Sequence, residues 1–206
     1  MECSVSFASP WSAHELLDVA ALRARGVTAH YFGLGFIQIK LDATWRLHVW
    51  VPEWPTIPGA ESELHDHRYD FESQVLAGAL HHEVFAAGPL REVAEAGDFE
   101  RLQVSCQPGQ SEDPTPVGHV RPIHLDSFTV VAGEHYFLST DVFHRSHPVG
   151  PTITLVKRGS VQKDLATVLR PVGASFTCPF SLSPDEETCW AKVAEVIRQS
   201  QAAPIG

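Results

Sequence analysis

Two histidines separated by one residue carry the strongest chemical signal in the chain. They lie in the stretch ELHDHRYDFE, residues 63–72, as His65 and His67. On a β-strand, residues two apart face the same side, so both imidazoles can approach one point while Asp66 faces away. Imidazole nitrogen is a common ligand of divalent metals. The spacing therefore predicts two metal ligands; a polar turn is the alternative, because histidines at this spacing also occur without a metal.

A third histidine lies further along in a comparable setting. In GEHYFLSTDVFH, residues 133–144, the turn glycine Gly133 is followed by an apolar strand, a polar turn and His144. After the first pair, Gly78 separates two apolar runs at 71–77 and 79–85. This pattern predicts a β-hairpin at Gly78. Both histidine segments are thus predicted to belong to one β body.

Together these segments, HDHRYDFESQVLAG and GEHYFLSTDVFH, resemble the two motifs of the cupin superfamily. The first family motif is H-x-H, three or four residues, a glutamate and a glycine; the second ends in a histidine after a turn. Here Ser139 and Asp141 replace the proline and glycine usual in that turn. The resemblance covers about residues 27–158 and implies an all-β, double-stranded β-helix (jelly-roll barrel) whose mouth takes a small ligand.

The same resemblance implies one divalent metal ion held by His65, His67 and His144. It favours Fe(II), although Zn, Mn, Ni and Cu also accept three neutral imidazoles. Glu72 is a candidate fourth ligand, because many cupins place a carboxylate at this spacing. Counting back from Gly78 puts Phe71 at the usual position instead, and a strand with Phe71 inside would turn Glu72 outward. Both possibilities stay open.

Cupins with three histidines and no acid resemble the thiol dioxygenases, which use Fe(II) and O₂ on small thiol-bearing acids. The H-D-H pair with Gly78, and His144 followed by Arg145, match that family. The later segment PTITLVKRGSV lacks the family's histidine and tyrosine. The implied function is therefore an iron dioxygenase or oxygenase acting on a small polar metabolite. A non-redox metal cupin (isomerase, lyase or hydrolase) and a non-catalytic ligand-sensing cupin are the alternatives.

Four further residues are candidates for handling the substrate. Arg46, Lys157 and Arg158 lie on predicted strands and could bind an anionic group, since arginine pairs with a carboxylate through two parallel hydrogen bonds. Rim charges in solvent are the alternative for all three. Tyr69, beside the ligands, is predicted to donate a proton or orient bound oxygen, or else to serve only as a packed lid.

The elements that must position these residues are mostly strands. Short apolar runs broken by Gly, Pro and Asp predict strands at 29–41, 45–51, 71–77, 79–85, 99–104, 119–125, 127–131, 136–138 and 152–156. A capping box at Ser12 predicts a helix over about 12–25, and Ser183 with Pro184 predicts one over about 184–199. Residues 106–118 predict an exposed loop. We expect a single domain over 1–206.

Composition excludes several functions. Fifteen basic against 25 acidic residues give a net charge of −10, which disfavours nucleic acid and anionic membranes as partners. The four cysteines form no C-x-x-C pair, and we find neither a signal peptide nor an apolar run of membrane-spanning length, so we expect a cytoplasmic protein. Trp45, Trp50 and Trp54 are predicted to pack the N-terminal helix or form a homodimer face.

Overall fold

The computed structural model describes residues 7–105, 113–182 and 184–202. The strands are β1 (Ala29–Phe32), β2 (Phe36–Lys40), β3 (Trp45–Trp50), β4 (Leu64–His65), β5 (Tyr69–Ala87), β6 (Phe99–Val104), β7 (Thr115–Val120), β8 (Pro122–Val131), β9 (His135–Leu138), β10 (Phe143–Val161) and β11 (Ala166–Pro171). The helices are α1 (Ala13–Leu16), α2 (Val19–Ala24) and α3 (Glu186–Ala202). The prediction of a mainly β body is confirmed.

The strands β5 and β10 form the centre of this mostly antiparallel sheet. Each has 19 residues, and they pair with each other along most of their length. β5 also pairs with β8 and β9, whereas β10 also pairs with β3 and β4. This strand order is compatible with a jelly roll, although the pairings among the described residues do not show a closed barrel.

The predicted hairpin at Gly78 is wrong, because Gly78 lies inside β5. Its φ is 74°, and a Cβ there would lie 2.2 Å from the backbone oxygen of Pro151 and 2.6 Å from Thr152 Oγ1. The register of β10 against β5 shifts at the same level, between Val149 and Ile153. The two strands therefore continue through a shared irregularity, and glycine is needed because only it fits this backbone and this contact.

The terminal helices differ from prediction in their limits. The predicted N-terminal helix is divided into α1, with the expected capping box between Ser12 and Glu15, and α2, which begins after Asp18. The Asp18 carboxylate accepts hydrogen bonds from two N–H groups of α2 and so starts a new helix. At α3 the Asp185 carboxylate caps Thr188 N–H at 2.8 Å. The predicted cap Ser183 lies outside the described residues, as do 106–112 of the predicted loop.

A large apolar cluster joins the helices to the first three strands. It contains Trp45 on β3, Leu16 and Leu22 of the N-terminal helices, and Trp190 and Val193 of α3. Trp45 thus belongs to the same apolar cluster as the N-terminal helices, with the partly buried Trp54 against it, whereas Trp50 belongs to a separate cluster with Phe36 and Val75. The helices cover this face of the sheet, and the opposite face is left to line the cavity described below. No described helix is long and apolar enough to cross a membrane.

Candidate metal centre

Three histidines from distant parts of the chain meet at one point. His65 ends the two-residue strand β4 and is paired in register with His144 of β10. His67 lies two residues further along the chain, after Asp66. A ligand nitrogen from each ring lies within 4.8 Å of the others, so the group could hold a metal ion. Strand pairing brings together His65 and His144, which are 79 positions apart, and His67, just beyond the end of β4, lies with its ring centroid 5.2 Å from that of His65 and 5.0 Å from that of His144.

The chemistry of the three rings fits a divalent metal. Each has a buried nitrogen without a hydrogen-bond partner in the described part of the chain: His65 Nδ1, His67 Nε2 and His144 Nδ1. Burial lowers the pKa of His65 to about 4, and burial with the neighbouring histidines lowers the pKa of His67 and His144 well below the usual value. The rings are therefore neutral at pH 7, the form in which imidazole binds metals.

The segment that carries His65 and His67 is fixed from its outer side by the Asp66 carboxylate. Asp66 is 4% exposed; it accepts a hydrogen bond from Thr167 N–H at 2.6 Å and one from Lys163 Nζ at 2.6 Å. Thr140 Oγ1 also donates to the His67 carbonyl at 2.6 Å. Asp66 faces away from the cluster, as the strand spacing predicts, and anchors the loop between the two histidines to β11.

The structure does not bring Glu72 to the three histidines. Its neighbour Phe71 faces the site instead, with ring centroids 4.8 Å from His67 and 6.0 Å from His144. Glu72 therefore lies on the other face of β5, where its carboxylate is 3.8 Å from Lys157 Nζ. Three of the four predicted ligands therefore converge. Lys157, a predicted substrate residue, also faces away from the cavity, because its neighbours in the strand, Val156 and Arg158, face inward.

Two of the predicted substrate residues and the predicted catalytic residue form one group at the cavity. Arg46 Nη1 donates a hydrogen bond to the Tyr69 hydroxyl at 2.9 Å. The Arg158 Cζ lies 3.9 Å from the centroid of the Tyr69 ring, and that ring is 5.7 Å from the ring of His67. Tyr69 thus links the cationic side chains to the three histidines.

A cavity opens in front of the histidines. Two adjoining spaces of about 230 and 340 Å³ share His65, His67, Arg46 and Tyr69 in their walls. The apolar part of the wall is formed by Leu34, Phe36, Trp50, Phe71, Tyr136 and Val156. A cavity of this size admits a small molecule, with polar groups at one end and apolar surface along the side.

Two further histidines near the site were not singled out by the sequence. His48 lines the cavity, stacks on Phe36 with centroids 4.4 Å apart, and has a pKa lowered to about 3 by burial and by Arg46. His82 is fully buried against Tyr136, with Ser146 Oγ 2.8 Å from its Nδ1. His48 lies two residues after Arg46, so strand alternation could have assigned it to the same face.

The similarities of this chain to known proteins are low in sequence identity. No protein-family model matches the chain, and no curated protein matches it. Among solved structures, the hydroquinone 1,2-dioxygenase PnpCD in complex with Cd²⁺ and 4-hydroxybenzonitrile is similar at 11% identity and a TM-score of 0.32, covering 78% of this chain and 84% of that one.

Two other solved structures are similar at the same level. Hydroquinone 1,2-dioxygenase from Sphingomonas sp. TTNP3, with 4-hydroxybenzoate bound, has 12% identity and a TM-score of 0.30, covering 58% of this chain and 63% of that one. E. coli ycfD has 13% identity and a TM-score of 0.35, covering 97% of this chain and 63% of that one.

Proposed function

We propose that this protein is a cupin-type metalloenzyme that binds one divalent metal ion through His65, His67 and His144. We further propose that the metal is iron and that the enzyme oxidises a small polar metabolite with O₂. The observation that carries the proposal is the convergence of three neutral imidazoles, of which that of His144 is buried and those of His65 and His67 are partly buried, on one point in the wall of a cavity. When bound, Fe(II) would supply the redox chemistry that activates oxygen.

The residues of the chain would bind and orient the substrate. Arg46 and Arg158 place positive charge beside the histidines, where an anionic group can be held. Because the Tyr69 hydroxyl accepts its hydrogen bond from Arg46, its own proton remains to be donated to the substrate. The apolar wall with Phe36 and Trp50 excludes water from the same space.

A non-redox metal enzyme is the second candidate. The three converging side chains offer only nitrogen, a donor set that zinc also accepts in catalytic sites. A metal without redox chemistry would polarise a substrate carbonyl or activate water, giving an isomerase, a lyase or a hydrolase. The identity of the bound metal distinguishes the two candidates.

The first test is the metal content of protein purified without chelators, measured by elemental mass spectrometry. Wild type is expected to contain about one metal ion per chain, and the triple variant His65→Ala/His67→Ala/His144→Ala is expected to contain none. His30→Ala is the matched control, since His30 is an exposed strand residue outside the cluster. Stoichiometric iron with substrate-dependent O₂ uptake supports the oxygenase; stoichiometric zinc or manganese supports the second candidate. Equal metal content in wild type and triple variant would overturn both.

A further inference from the structure

One end of the cavity holds cations that no carboxylate of the described residues neutralises. Lys40, Arg46 and Arg158 all line it. Within the described residues, no Asp or Glu oxygen lies within 4.0 Å of their charged nitrogens, whereas other arginines such as Arg145 and Arg170 pair with acids. Acidic residues outnumber basic ones by 25 to 15 in this chain. Three unpaired cations in one cavity therefore reflect a specific arrangement rather than a general excess of positive charge.

The Tyr69 ring holds the two arginines close to each other. The Cζ atoms of Arg46 and Arg158 lie 6.0 and 3.9 Å from its centroid, and Arg46 also donates to its hydroxyl. The Nε of each arginine is buried and has no hydrogen-bond partner among the described residues. Each guanidinium therefore retains N–H donors that the described residues leave unused, and buried donors are ordinarily satisfied.

The electrostatics of this group are unfavourable without a ligand. Burial lowers the pKa of Arg46, and the charge of Arg158 contributes to the same shift; burial, Arg46 and Arg158 likewise lower the pKa of Lys40. Three carboxylates among the described residues also line this space: Asp66 is paired with Lys163, and Glu63 and Asp113, like Asp66, lie beyond ion-pairing distance from the three cations. An anion bound between the cations would remove their mutual repulsion and satisfy the free N–H groups.

We propose that Arg46 and Arg158, supported by Lys40, bind a doubly charged anionic group of the substrate, either a phosphomonoester or a pair of carboxylates. This inference deepens the proposed function and rests on it for the role of the anion as part of a substrate. Two forked guanidinium groups provide more donors than a single carboxylate can accept. The Tyr69 ring, 5.7 Å from the ring of His67, places the anionic group next to the metal ligands, with the rest of the substrate along the apolar wall.

The test is calorimetric titration of the chelator-treated protein with three probes at pH 8: malonate, methyl phosphate and acetate. At least one of the two dianions is expected to bind about tenfold or more tightly than acetate, and the stronger of them identifies the source of the charge. Arg46→Gln and Arg158→Gln are each expected to weaken dianion binding by about tenfold or more, because each removes one charge-assisted, forked contact. Arg121→Gln is the control, since Arg121 is half-exposed and faces Asp98 elsewhere.

Each outcome decides the inference. Equal binding of acetate and both dianions, no binding at all, or unchanged binding in both arginine variants would overturn it. Because Arg158 has no hydrogen bond to Tyr69, Arg158→Gln remains informative where Arg46→Gln fails to fold. Metal content is measured separately on a portion of each preparation that is set aside before the chelator treatment. A protein that contains metal but does not bind a dianion would support the proposed function and overturn this inference. A protein that binds a dianion but contains no metal would support the anion site and overturn the proposed function.

Discussion

At the scale of single residues, Asp66 connects the three-histidine site to the rest of the sheet. Its carboxylate is buried between Lys163 and the backbone of Thr167, while its two neighbours in sequence are the proposed ligands. Burial raises the pKa of Asp66, and the hydrogen bonds from Lys163 and Thr167 oppose that shift. The ion pair therefore has to be complete, because a buried charge without its partner is costly.

Asp66→Asn tests this connection. The amide can still accept from Thr167, but it would present N–H donors or a weak dipole to the Lys163 ammonium, so we expect unfolding free energy to fall by about 2 kcal/mol. Zinc affinity, measured by competition with a chromophoric chelator, is expected to fall about tenfold as the loop between the histidines loosens. Unchanged zinc affinity together with lowered stability would show that Asp66 has a structural role only.

The same pair gives an internal control. Adding Lys163→Met to Asp66→Asn removes the unpaired ammonium, so the double variant is expected to be more stable than Asp66→Asn alone. At the surface, Glu187→Gln breaks the pair between Arg23 and Glu187, both well exposed, and is expected to change stability much less than Asp66→Asn, because solvent screens exposed charges. Urea denaturation of all four proteins measures these differences. Equal losses for the buried and exposed pairs would contradict the argument.

At the scale of elements, the irregularity shared by β5 and β10 lets two 19-residue strands cross the molecule. Gly78 on β5 lies against Pro151 and Thr152 of β10, and Thr152 Oγ1 donates to the Ala79 carbonyl at 2.9 Å. Gly150, just before the contact, has nearly the same φ of 75° but open space around the position of a Cβ. Substitutions at the two glycines therefore distinguish the cost of a positive φ from the cost of a close contact between the strands.

Gly78→Ala is expected to destabilise the fold much more than Gly150→Ala. Both substitutions place alanine at positive φ, which costs about 1 kcal/mol. At Gly78 the added methyl group also meets a backbone oxygen at 2.2 Å, so the strands must move apart. We expect a difference of about 2 kcal/mol or more in unfolding free energy by urea denaturation. Equal losses would indicate that the close contact is easily relieved.

At the scale of the whole molecule, buried neutral histidines make stability depend on pH. Burial lowers the pKa of His48 and of His82 to about 3, whereas histidine in an unfolded chain has a pKa near 6.5. Below about pH 6.5 the unfolded chain therefore takes up protons that the folded chain does not. Stability is fully present above that pH and decreases as the pH falls towards 3.

Metal-free protein is accordingly expected to lose about 1.4 kcal/mol of unfolding free energy per pH unit for each such histidine between about pH 6 and 4. His82→Gln should lower that slope by about 1.4 kcal/mol per pH unit, the contribution of one proton, because glutamine does not titrate. Urea denaturation at pH 7.5, 6, 5 and 4 measures the slope in both proteins. An identical slope in His82→Gln would show that His82 is protonated in the folded state as well.

Strand alternation accounts for most of what the sequence predicts correctly. It places His65 and His67 together, turns Asp66 away, and gives the reason for Phe71 rather than Glu72 facing the histidines. The same rule shows that Lys157 and Arg158, being adjacent, cannot both enter the cavity, so the joint prediction was too broad. In each case the alternation of residues along one strand is enough to predict the side on which a side chain lies.

Long-range pairing explains what the sequence did not predict. The pairing of His144 with His65 depends on strand β4, which has only two residues and no recognisable pattern of its own. Gly78 was interpreted as a turn because a glycine between apolar runs is typical of hairpins, and only the approach of Pro151 from a distant strand shows otherwise. The cation group around Tyr69 also depends on three separate strands.

The pairing of β5 with β10 has a consequence for how the chain reaches its folded state. Some 55 residues lie between the end of one strand and the start of the other, and His144 joins its partners only when that pairing forms. Contacts between such distant residues are made slowly, because the chain must first lose the entropy of closing a large loop. During synthesis, a ribosome-bound chain that ends before residue 143 would carry two of the histidines but no complete site. Metal capture would then be one of the last events in its maturation.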